Sequence, residues 1–493
     1  MLKASFWGSL VVAALLPFLV RRLPMEDLPE HVLMAEVLTH YDDAGSDFCL
    51  HFVRDLRLKP YIGYFGIAWL VAPIAGAQTA ARIAVALYLS LTPLAVRWYV
   101  AELAPGRADA SILAIPALFC DQYYLGFLNF LLGVPLVFAG MAALLHVTRT
   151  GRWLGGAAFL PIAALAYLCH AADFLVLVLA GAIVAIAARG SRRWMALGLV
   201  GLVAAVAAWI TPWADVVGRH HAIRYVSGIS GLPPAGPERG LVFRNPLYAL
   251  VHVLQHVQNE ATMLDAALWG LPVGALLLAR WRGGAGGHDG ARRERFVLPV
   301  ISAALLAIAP DATSFVENVA MKHSAFLFFS LPALVPARLL DRRGRATFAL
   351  FAVASVGVHA VAHARFDREA RGFDAVMAAV PRGATVLPLM FAPGSSALSW
   401  HVPYLHYGHL VQAERGGLGR EIETRPQYPV RMRPEGITGM TPFVHMPWLV
   451  TARVMAIQPD FVVMKGRGAV LLGDRWVRLA GSGDWSVFGP ALP

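Results

Sequence analysis

Long apolar segments alternate with short polar segments over most of the chain. A helix needs about 20 mostly apolar residues to cross the hydrocarbon core of a bilayer. The pattern predicts about eleven membrane-spanning helices, some of them short, at residues 4–20, 79–99, 109–120, 128–146, 153–170, 172–188, 194–212, 263–280, 296–310, 323–340 and 346–361. Arg21, Arg22 and Pro24 follow the first segment in place of a small-residue cleavage site, so it is predicted to remain as an uncleaved helix.

Arginine clusters in the short loops predict the orientation of these helices. Two predicted helices separate each cluster from the next, so all four can lie on the cytoplasmic side: Arg149/Arg152, Arg189/Arg192/Arg193, Arg280/Arg282/Arg292/Arg293/Arg295 and Arg338/Arg342/Arg343/Arg345. This places the N-terminus in the cytoplasm and the C-terminus outside. Counting the apolar residues 60–76 as a further span would break this parity. Because they are rich in proline and glycine, they are predicted to lie in the outer interface.

The polar segments divide the chain into two parts. Residues 1–363 are predicted to form a multispanning membrane domain with external loops at 21–78 and 213–262. Residues 364–493 are predicted to form a small external α/β domain, which would be periplasmic in a bacterium. Its expected elements are a helix at Arg368–Val380 and strands at Thr385–Phe391, Phe461–Lys465 and Trp476–Leu479.

Composition supports a membrane protein. Of the 493 residues, 57% are hydrophobic and 15% are charged, whereas soluble domains average roughly 45–50% and about 25%. The mean hydropathy is +0.57. The net charge of +11 is explained largely by arginines in the predicted cytoplasmic loops. A soluble enzyme is therefore not expected, and no nucleic-acid partner is predicted.

An acidic motif, MEDLPEH, directly follows the first predicted helix. It contains Glu26, Asp27 and His31, which we take as the candidate catalytic residues. A carboxylate pair beside the membrane surface can act as a general base or bind a divalent cation such as Mg²⁺ or Mn²⁺. His31 lies one helical turn after Asp27. The alternative is a helix start, with Asp27 or a neighbour as the N-cap and Pro29 in the first turn.

Further polar residues lie at the outer ends of predicted helices. Asp121, His170 and Asp173 are candidates for the same cavity, because placing ionisable groups in membrane segments is costly. A water-exposed turn with a helix cap explains His170 and Asp173 equally well. Asn129 lies one turn into an apolar helix, and its expected role is a hydrogen bond between helices.

Two basic groups are candidates for binding a donor phosphate. Arginine binds phosphate oxygens in a bidentate manner, and the predicted residues are Arg219, His220, His221, Arg224, Lys322 and His323. The alternatives are a solvated loop for the first group and side chains that extend to the interface for Lys322 and His323. His252, His256 and Glu260 share one helix face and are weak metal-binding candidates. A polar helix face explains them better, since no third ligand is apparent.

Two motifs resemble those of the GT-C superfamily, membrane glycosyltransferases that use polyprenyl-phosphate-linked sugars. A D-x-P-x-H type motif occurs at Asp27, Pro29 and His31, and a GFxNFxxG element occurs at Gly126–Gly133. The chain is most similar to an uncharacterised bacterial branch, over roughly residues 1–361. The resemblance implies a polytopic α-helical GT-C-like fold, with Asp27 as catalytic base or metal-linked carboxylate and Glu26 as the alternative. A strict DxD motif is lacking, so the resemblance does not imply a metal.

The activity implied by this resemblance is hexosyl or pentosyl transfer. The donor would be a polyprenyl-phosphate sugar in the bacterial inner (plasma) membrane, and the acceptor a lipid, glycan or protein on the external face. Two other classes of protein remain open. A transporter or flippase of a lipid-linked or anionic substrate would show repeats and mid-span charges, but here the ionisable groups gather at helix ends. An assembly protein could use the aromatic stretch Ser399–Leu410 to bind a partner or glycan.

Overall fold

The computed structural model describes residues 2–211, 223–226, 241–245, 247, 253, 293–313, 318–417, 428–433, 447, 459–468, 472 and 475–491. In these residues the α-helices are α1 Leu2–Leu19, α2 Leu28–Thr39, α3 Phe48–His51, α4 Gly63–Ala75, α5 Ala77–Leu103, α6 Asp121–Leu125, α7 Leu128–Thr150, α8 Trp153–Cys169, α9 Ala171–Ala187, α10 Ser191–Ile210, α11 Val297–Ile308, α12 Lys322–Ser330, α13 Arg342–Met377 and α14 Tyr407–Arg415. The strands are β1 Phe52–Arg54, β2 Ile223–Val226, β3 Leu241–Arg244, β4 Val386–Met390, β5 Val430–Met432, β6 Phe461–Lys465, β7 Trp476–Ser482 and β8 Trp485–Pro490.

A helical bundle centred on α7 forms the apolar part of the molecule. Among the described helices, α1, α5, α7, α10 and α13 are long and apolar enough to cross a membrane, and α4, α8 and α9 are shorter apolar helices. Helix α7 packs against α5, α8 and α9 and is the most deeply buried of the five long helices. Large apolar side chains on the outer faces, such as Trp194 and Trp209 of α10, are exposed. The chain is therefore a helical membrane protein whose outer surface suits lipid.

Most of the predicted helices are present. The structure confirms α-helices at the predicted positions 4–20, 79–99, 128–146, 153–170, 172–188 and 194–212, and α11 covers most of 296–310. Residues 60–76 contain α4, and that this helix lies in the outer interface stays a prediction. Residues 263–280 lie outside the described part of the chain. The total of eleven spanning helices is therefore also still a prediction.

Two of the predicted spanning segments are not continuous α-helices. Residues 109–120 lie in 3₁₀ helices at Pro105–Ala114 and Pro116–Leu118, most of whose side chains are buried. They are apolar because they belong to the protein core. The predicted helix at 323–340 ends at Ser330, just before Leu331–Leu334 and Ala337–Leu340 form short 3₁₀ helices. The cause is Pro332 together with Pro336, since proline removes a backbone donor and clashes with the preceding turn.

Helix α13 joins the apolar bundle to the C-terminal region. It combines the predicted span at 346–361 and the predicted helix at 368–380 into one helix of 36 residues. No proline interrupts it, and at 1.5 Å per residue it is about 54 Å long, well beyond the roughly 30 Å hydrocarbon core. The predicted boundary between residues 363 and 364 lies inside this helix. The two predicted domains thus share a continuous element.

The C-terminal region contains a four-stranded mixed sheet with strand order β4-β6-β8-β7. Strands β4 and β6 are parallel, and the other neighbours are antiparallel. The three predicted strands are confirmed in β4, β6 and β7. Trp485 of β8 is almost fully buried, and its ring lies 5.0 Å from the ring of Phe373 on α13. The sheet therefore packs directly on the helix that comes from the membrane bundle.

Two contacts attach the first external loop to the C-terminal region. Strand β1 pairs antiparallel with β5, with Phe52 opposite Met432. Arg22, which is 4% exposed, donates hydrogen bonds to Asp374 of α13 (3.1 Å from Nε) and to Glu414 of α14 (2.6 Å). By the positive-inside rule, arginines directly after the first span argue against a cytoplasmic N-terminus. The contacts of Arg22 with the C-terminal region give this arginine a structural role that is independent of orientation.

Asp55 provides a test of this attachment. It accepts hydrogen bonds from Arg57 (2.8 Å) and from Lys59 (2.9 Å), and Lys59 also donates to the backbone carbonyl of Tyr428 (3.1 Å). The hydrogen bonds from Arg57 and Lys59 hold the pKa of Asp55 well below its ordinary value. A carboxyl with a lowered pKa stabilises the fold above its unfolded-state pKa, and that stabilisation is lost as the pH falls through the folded-state value.

We expect Asp55→Asn to lower the thermal midpoint in detergent at neutral pH, by an amount equivalent to about 1–3 kcal/mol, because Lys59 stays buried without its charged partner. The difference between the variant and the wild type should shrink at strongly acidic pH. Asp42→Asn is the matched control, since Asp42 pairs with Arg54 at the surface, with a side chain 72% exposed. Equal midpoints for the two variants at neutral pH would contradict this role of Asp55.

Candidate active site at the acidic motif

The acidic motif begins in the linker between α1 and α2 and continues into the first turn of α2. Helix α2 begins at Leu28 with Asp27 at the N-cap position and a proline, Pro29, in its first turn. The backbone thus follows the capping alternative, but the Asp27 side chain makes no capping hydrogen bond. Its Oδ1 instead lies 3.6 Å from Nε2 of His406. Helix capping therefore explains the position of Asp27 in the chain, while its carboxylate belongs to a side-chain cluster.

The short helix α6 holds the backbone of the motif. The N–H of Glu26 donates to the carbonyl of Tyr124 (2.8 Å), and the N–H of Asp27 donates to that of Leu125 (2.9 Å). Gly126 follows with a φ of +81°, and a Cβ there would lie 2.9 Å from the backbone N of Leu28 and 3.0 Å from that of Asp27. Only glycine accepts both the conformation and the close approach. The first glycine of GFxNFxxG thus allows α6 to hold the acidic motif.

The other polar and small residues of GFxNFxxG position two more helices. Oδ1 of Asn129 accepts a hydrogen bond from the backbone N–H of Tyr64 at the start of α4 (2.8 Å), which confirms the predicted bond between helices. A Cβ on Gly133 would overlap the carboxylate of Asp173 on α9. One element therefore places the acidic motif, α4 and α9 relative to one another.

Three carboxylates and two histidines form a cluster at this point. Glu26 and Asp27 are joined by Asp121 of α6, whose Oδ1 lies 3.3 Å from Nε2 of His401. His406 lies beside Asp27, and the backbone N–H of Val402 hydrogen-bonds to Glu26. The structure thus brings together three of the predicted site residues, and it adds two histidines that were not among them. We name Glu26, Asp27, Asp121, His401 and His406 the carboxylate cluster.

The two histidines come from Ser399–Leu410, the aromatic stretch that was considered a partner-binding segment. His401 is 7% exposed, and its ring stacks on Tyr124 with centroids 5.6 Å apart. In the sequence, this stretch stands out by its density of histidines. It is also predicted to lie outside the membrane, on the same side as the acidic motif. No local pattern connects it with residues almost 380 positions earlier.

Burial controls the charges of the cluster. Desolvation raises the pKa of Glu26 well above its ordinary value, and the neighbouring Asp27 and Asp121 raise it further. Desolvation lowers the pKa of His401, against the opposing effect of Asp121. Carboxyl groups that crowd one another while partly removed from water favour either a bound proton or a bound cation.

The geometry of the cluster fits a divalent cation. One ligand atom each of Glu26, Asp27 and His406 lies within 4.8 Å of the other two. Asp121 is 6% exposed, and among the described residues its Oδ2 has no hydrogen-bond partner. Two carboxylates with one imidazole suit Mn²⁺ or Zn²⁺ better than Mg²⁺, which prefers oxygen ligands and retains water. The weak metal candidates His252, His256 and Glu260 lie outside the described residues.

The ring of His31 packs against α4. Its buried ring faces Tyr64 and Phe65, at centroid distances of 5.6 and 6.0 Å. It is inside α2, on a face that packs against α4, whereas Glu26 and Asp27 precede the helix. The neighbouring Glu30 accepts a hydrogen bond from the Tyr428 hydroxyl (3.2 Å). Within the motif, Glu26 and Asp27 thus belong to the carboxylate cluster, while the ring of His31 packs on aromatic side chains of α4 and Glu30 bonds to Tyr428.

A second polar group contains His170, Asp173, Lys322 and His323, all of them 4% exposed or less. His170 caps α9, with Nδ1 accepting from the N–H of Ala172 (3.0 Å), and its Nε2 lies 2.7 Å from the Tyr61 hydroxyl. The alternative of a water-exposed turn is therefore wrong for His170 and Asp173, because the turn is covered by α4 and its preceding residues. We name these four residues the buried basic group, since three of the four are basic.

Lys322 links this group to the GFxNFxxG element. Its Nζ lies 4.2 Å from the ring centroid of Phe127 and donates to the carbonyl of Asn318 (3.3 Å). The side chain is 3% exposed, so it does not extend to the interface. Arg219, His220 and His221 lie outside the described residues, as does the side chain of Arg224. Of the predicted phosphate-binding residues, the structure thus places Lys322 and His323 in one buried group.

Comparison with known proteins identifies the fold. No family model matches the chain, and no curated protein matches it. Among solved structures, it is similar to the crystal structure of ArnT from Cupriavidus metallidurans bound to undecaprenyl phosphate, with a TM-score of 0.56 and 12% sequence identity. The match covers 99% of this chain and 97% of that one. The likeness confirms the predicted fold, a polytopic helical fold like that of ArnT, and extends it into the C-terminal region.

The steric role of Gly126 is directly testable. Gly126→Ala should lower the thermal midpoint by an amount equivalent to about 1–2 kcal/mol, because a Cβ strains the left-handed backbone and forces the acidic motif away from α6. Gly66→Ala in α4 is the control, because a Cβ there meets nothing within 4 Å and alanine favours the helix. An unchanged midpoint for Gly126→Ala in detergent would show that the close approach is not required.

Proposed function

We propose that the protein is a membrane glycosyltransferase that moves a sugar from a polyprenyl-phosphate donor to an acceptor on the external face of the bacterial inner membrane. The observation that carries this proposal is the carboxylate cluster, to which the first loop, α6 and the C-terminal region each contribute a side chain. It lies at the end of α1 in a chain with the fold of ArnT, whose crystal structure contains undecaprenyl phosphate.

Asp27 is the proposed catalytic base. In the transfer, the acceptor hydroxyl attacks the anomeric carbon, the new glycosidic bond forms as the bond to the donor phosphate breaks, and Asp27 takes the hydroxyl proton. Glu26 suits this role less well, because its raised pKa keeps it protonated over a wider range of pH.

The buried basic group is the proposed site for the donor phosphate. The leaving phosphate gains negative charge as the sugar departs, and a buried cation stabilises that charge better than a solvated one. Lys322 supplies the cation and His323 lies next to it. Arg219, His220, His221 and Arg224 are proposed as additional phosphate contacts from the loop at 213–262. The exposed apolar faces of the bundle provide contact for the isoprenoid chain.

We also propose that Glu26, Asp27 and His406 bind a divalent cation, with Mn²⁺ favoured over Mg²⁺ by the imidazole ligand. A carboxylate has two oxygens, so ligation through one leaves the other available to the acceptor hydroxyl. When bound, such a cation would offset the repulsion among the carboxylates and act as a Lewis acid toward the donor phosphate.

Helix α7 supports the proposed orientation. It begins at the GFxNFxxG element and ends 23 residues later beside Arg149, a distance of about 34 Å. Arg192 donates to the carbonyl of Arg149 (2.7 Å), so two of the predicted cytoplasmic arginine clusters meet at that end. If these arginines face the cytoplasm, the acidic motif faces the outside. The acceptor would then be a lipid, glycan or protein of the cell envelope.

The base assignment is tested with Asp27→Asn. Transfer should fall by at least about 100-fold, while the thermal midpoint and undecaprenyl phosphate binding stay close to those of the wild type. The assay incubates purified protein with polyprenyl-phosphate sugars identified by mass spectrometry of copurifying lipids, and Asp42→Asn is the control. Retained transfer in Asp27→Asn would refute the base. Flux of lipid-linked substrate across liposomes without transfer would instead favour a transporter.

The cation site is tested by adding MnCl₂ alone to the purified protein. Mn²⁺ should raise the thermal midpoint of the wild type, because it binds only the folded arrangement of ligands. His406→Gln should abolish most of this rise. His40→Gln should not, since His40 is half-exposed and pairs with Glu36 and Asp43 on α2 and its following turn. Equal rises in all three proteins would place the bound Mn²⁺ elsewhere.

A further inference from the structure

Tyr124 contacts several parts of the candidate site at once. Its backbone carbonyl accepts the hydrogen bond from the N–H of Glu26 (2.8 Å), and its ring stacks on His401. Its hydroxyl lies 2.6 Å from Nδ1 of His359 on α13. Tyr124 is fully buried and His359 is 1% exposed. The residue therefore joins the acidic motif, the C-terminal histidine stretch and the longest helix of the described chain.

The contact with His359 anchors α6 to α13. The imidazole of His359 lies between the Tyr124 hydroxyl and the ring of Phe119, which stacks on it with centroids 4.2 Å apart and planes 19° apart. Since α6 is only five residues long, its own backbone hydrogen bonds cannot fix its direction. The side-chain contacts of Tyr124 thus set where its own carbonyl, the acceptor for Glu26, lies.

The neighbouring residue makes a similar pair without contacting the acidic motif. The Tyr123 hydroxyl donates to Nε2 of His363 (2.7 Å), whose Nδ1 donates to the carbonyl of His359 (2.7 Å). Tyr123 is also fully buried. Its carbonyl, however, accepts from the N–H of Gly126 within the same turn (3.0 Å). Two buried tyrosine–histidine pairs therefore connect α6 and α13, and only Tyr124 holds the backbone of Glu26.

We propose that Tyr124 is a positioning residue for the carboxylates of Glu26 and Asp27, with His359 as the partner that fixes it. This inference rests on the proposed transferase activity. The hydroxyl touches none of the reacting groups, and its effect passes through the carbonyl that holds Glu26. Removing the hydroxyl frees α6 to shift, and a displacement of about 1 Å at a catalytic group can cost on the order of 100-fold in rate.

The test compares Tyr124→Phe with Tyr123→Phe. Each variant removes one buried hydroxyl that pairs with a histidine of α13, so both should lose similar thermal stability. Tyr124→Phe should lower kcat by on the order of 10- to 100-fold with little change in KM for the donor, whereas Tyr123→Phe should keep the wild-type kcat. Equal kcat values, or a change confined to donor KM, would overturn the proposal.

A second measurement is independent of transfer. Hydrogen exchange followed by mass spectrometry reports on the amides of Glu26 and Asp27, which donate to α6. Exchange in the peptide around these residues should be faster in Tyr124→Phe and unchanged in Tyr123→Phe. If the wild-type protein shows no transfer activity, the proposed function fails, but the exchange rates still decide whether Tyr124 positions the motif.

A third variant tests the same pair in case Tyr124→Phe does not fold. His359→Leu keeps Tyr124 intact and removes the ring nitrogen that its hydroxyl contacts. It should speed exchange at Glu26 and Asp27 and lower kcat as Tyr124→Phe does. Wild-type exchange and kcat in folded His359→Leu would overturn the role of this pair.

Discussion

The candidate site depends on two backbone hydrogen bonds, from Glu26 and Asp27 to the carbonyls of Tyr124 and Leu125. They bring the linker after α1 within hydrogen-bond distance of α6, and the absence of a side chain at Gly126 makes that approach possible. Carboxylates repel one another when crowded, so their backbone must be held by groups outside the cluster. The short helix α6 supplies both acceptors and also contributes Asp121.

The cost of this crowding is offset by contacts from the C-terminal region. The backbone of Val402 contacts Glu26, His401 contacts Asp121, and His406 contacts Asp27. In the first loop, Arg22 donates hydrogen bonds to Asp374 and Glu414. Strand β1 of the first loop also pairs with β5. The C-terminal region thus forms one side of the candidate site. Helix α13 connects it to the membrane bundle and fixes its position relative to the bundle.

The sequence predicted the parts of the fold that have local causes. Apolar length predicts α1, α5 and α7, and alternation predicts β4, β6 and β7. Residues 109–120 were predicted as an α-helix because apolar length alone does not distinguish an α-helix from the 3₁₀ helices found there. The stretch at 323–340 was predicted as one helix, but Pro332 and Pro336 interrupt it. The carboxylates were found because they form a short motif, whereas His401 and His406 meet them only through the tertiary fold, which no local pattern encodes.

A structure of the protein determined with undecaprenyl phosphate and Mn²⁺ would show whether the carboxylate cluster and the buried basic group form one active site. We expect the lipid phosphate in contact with Lys322, and the cation within ligand distance of Glu26, Asp27 and His406. A phosphate bound away from both the buried basic group and the carboxylate cluster would contradict the proposed transferase site.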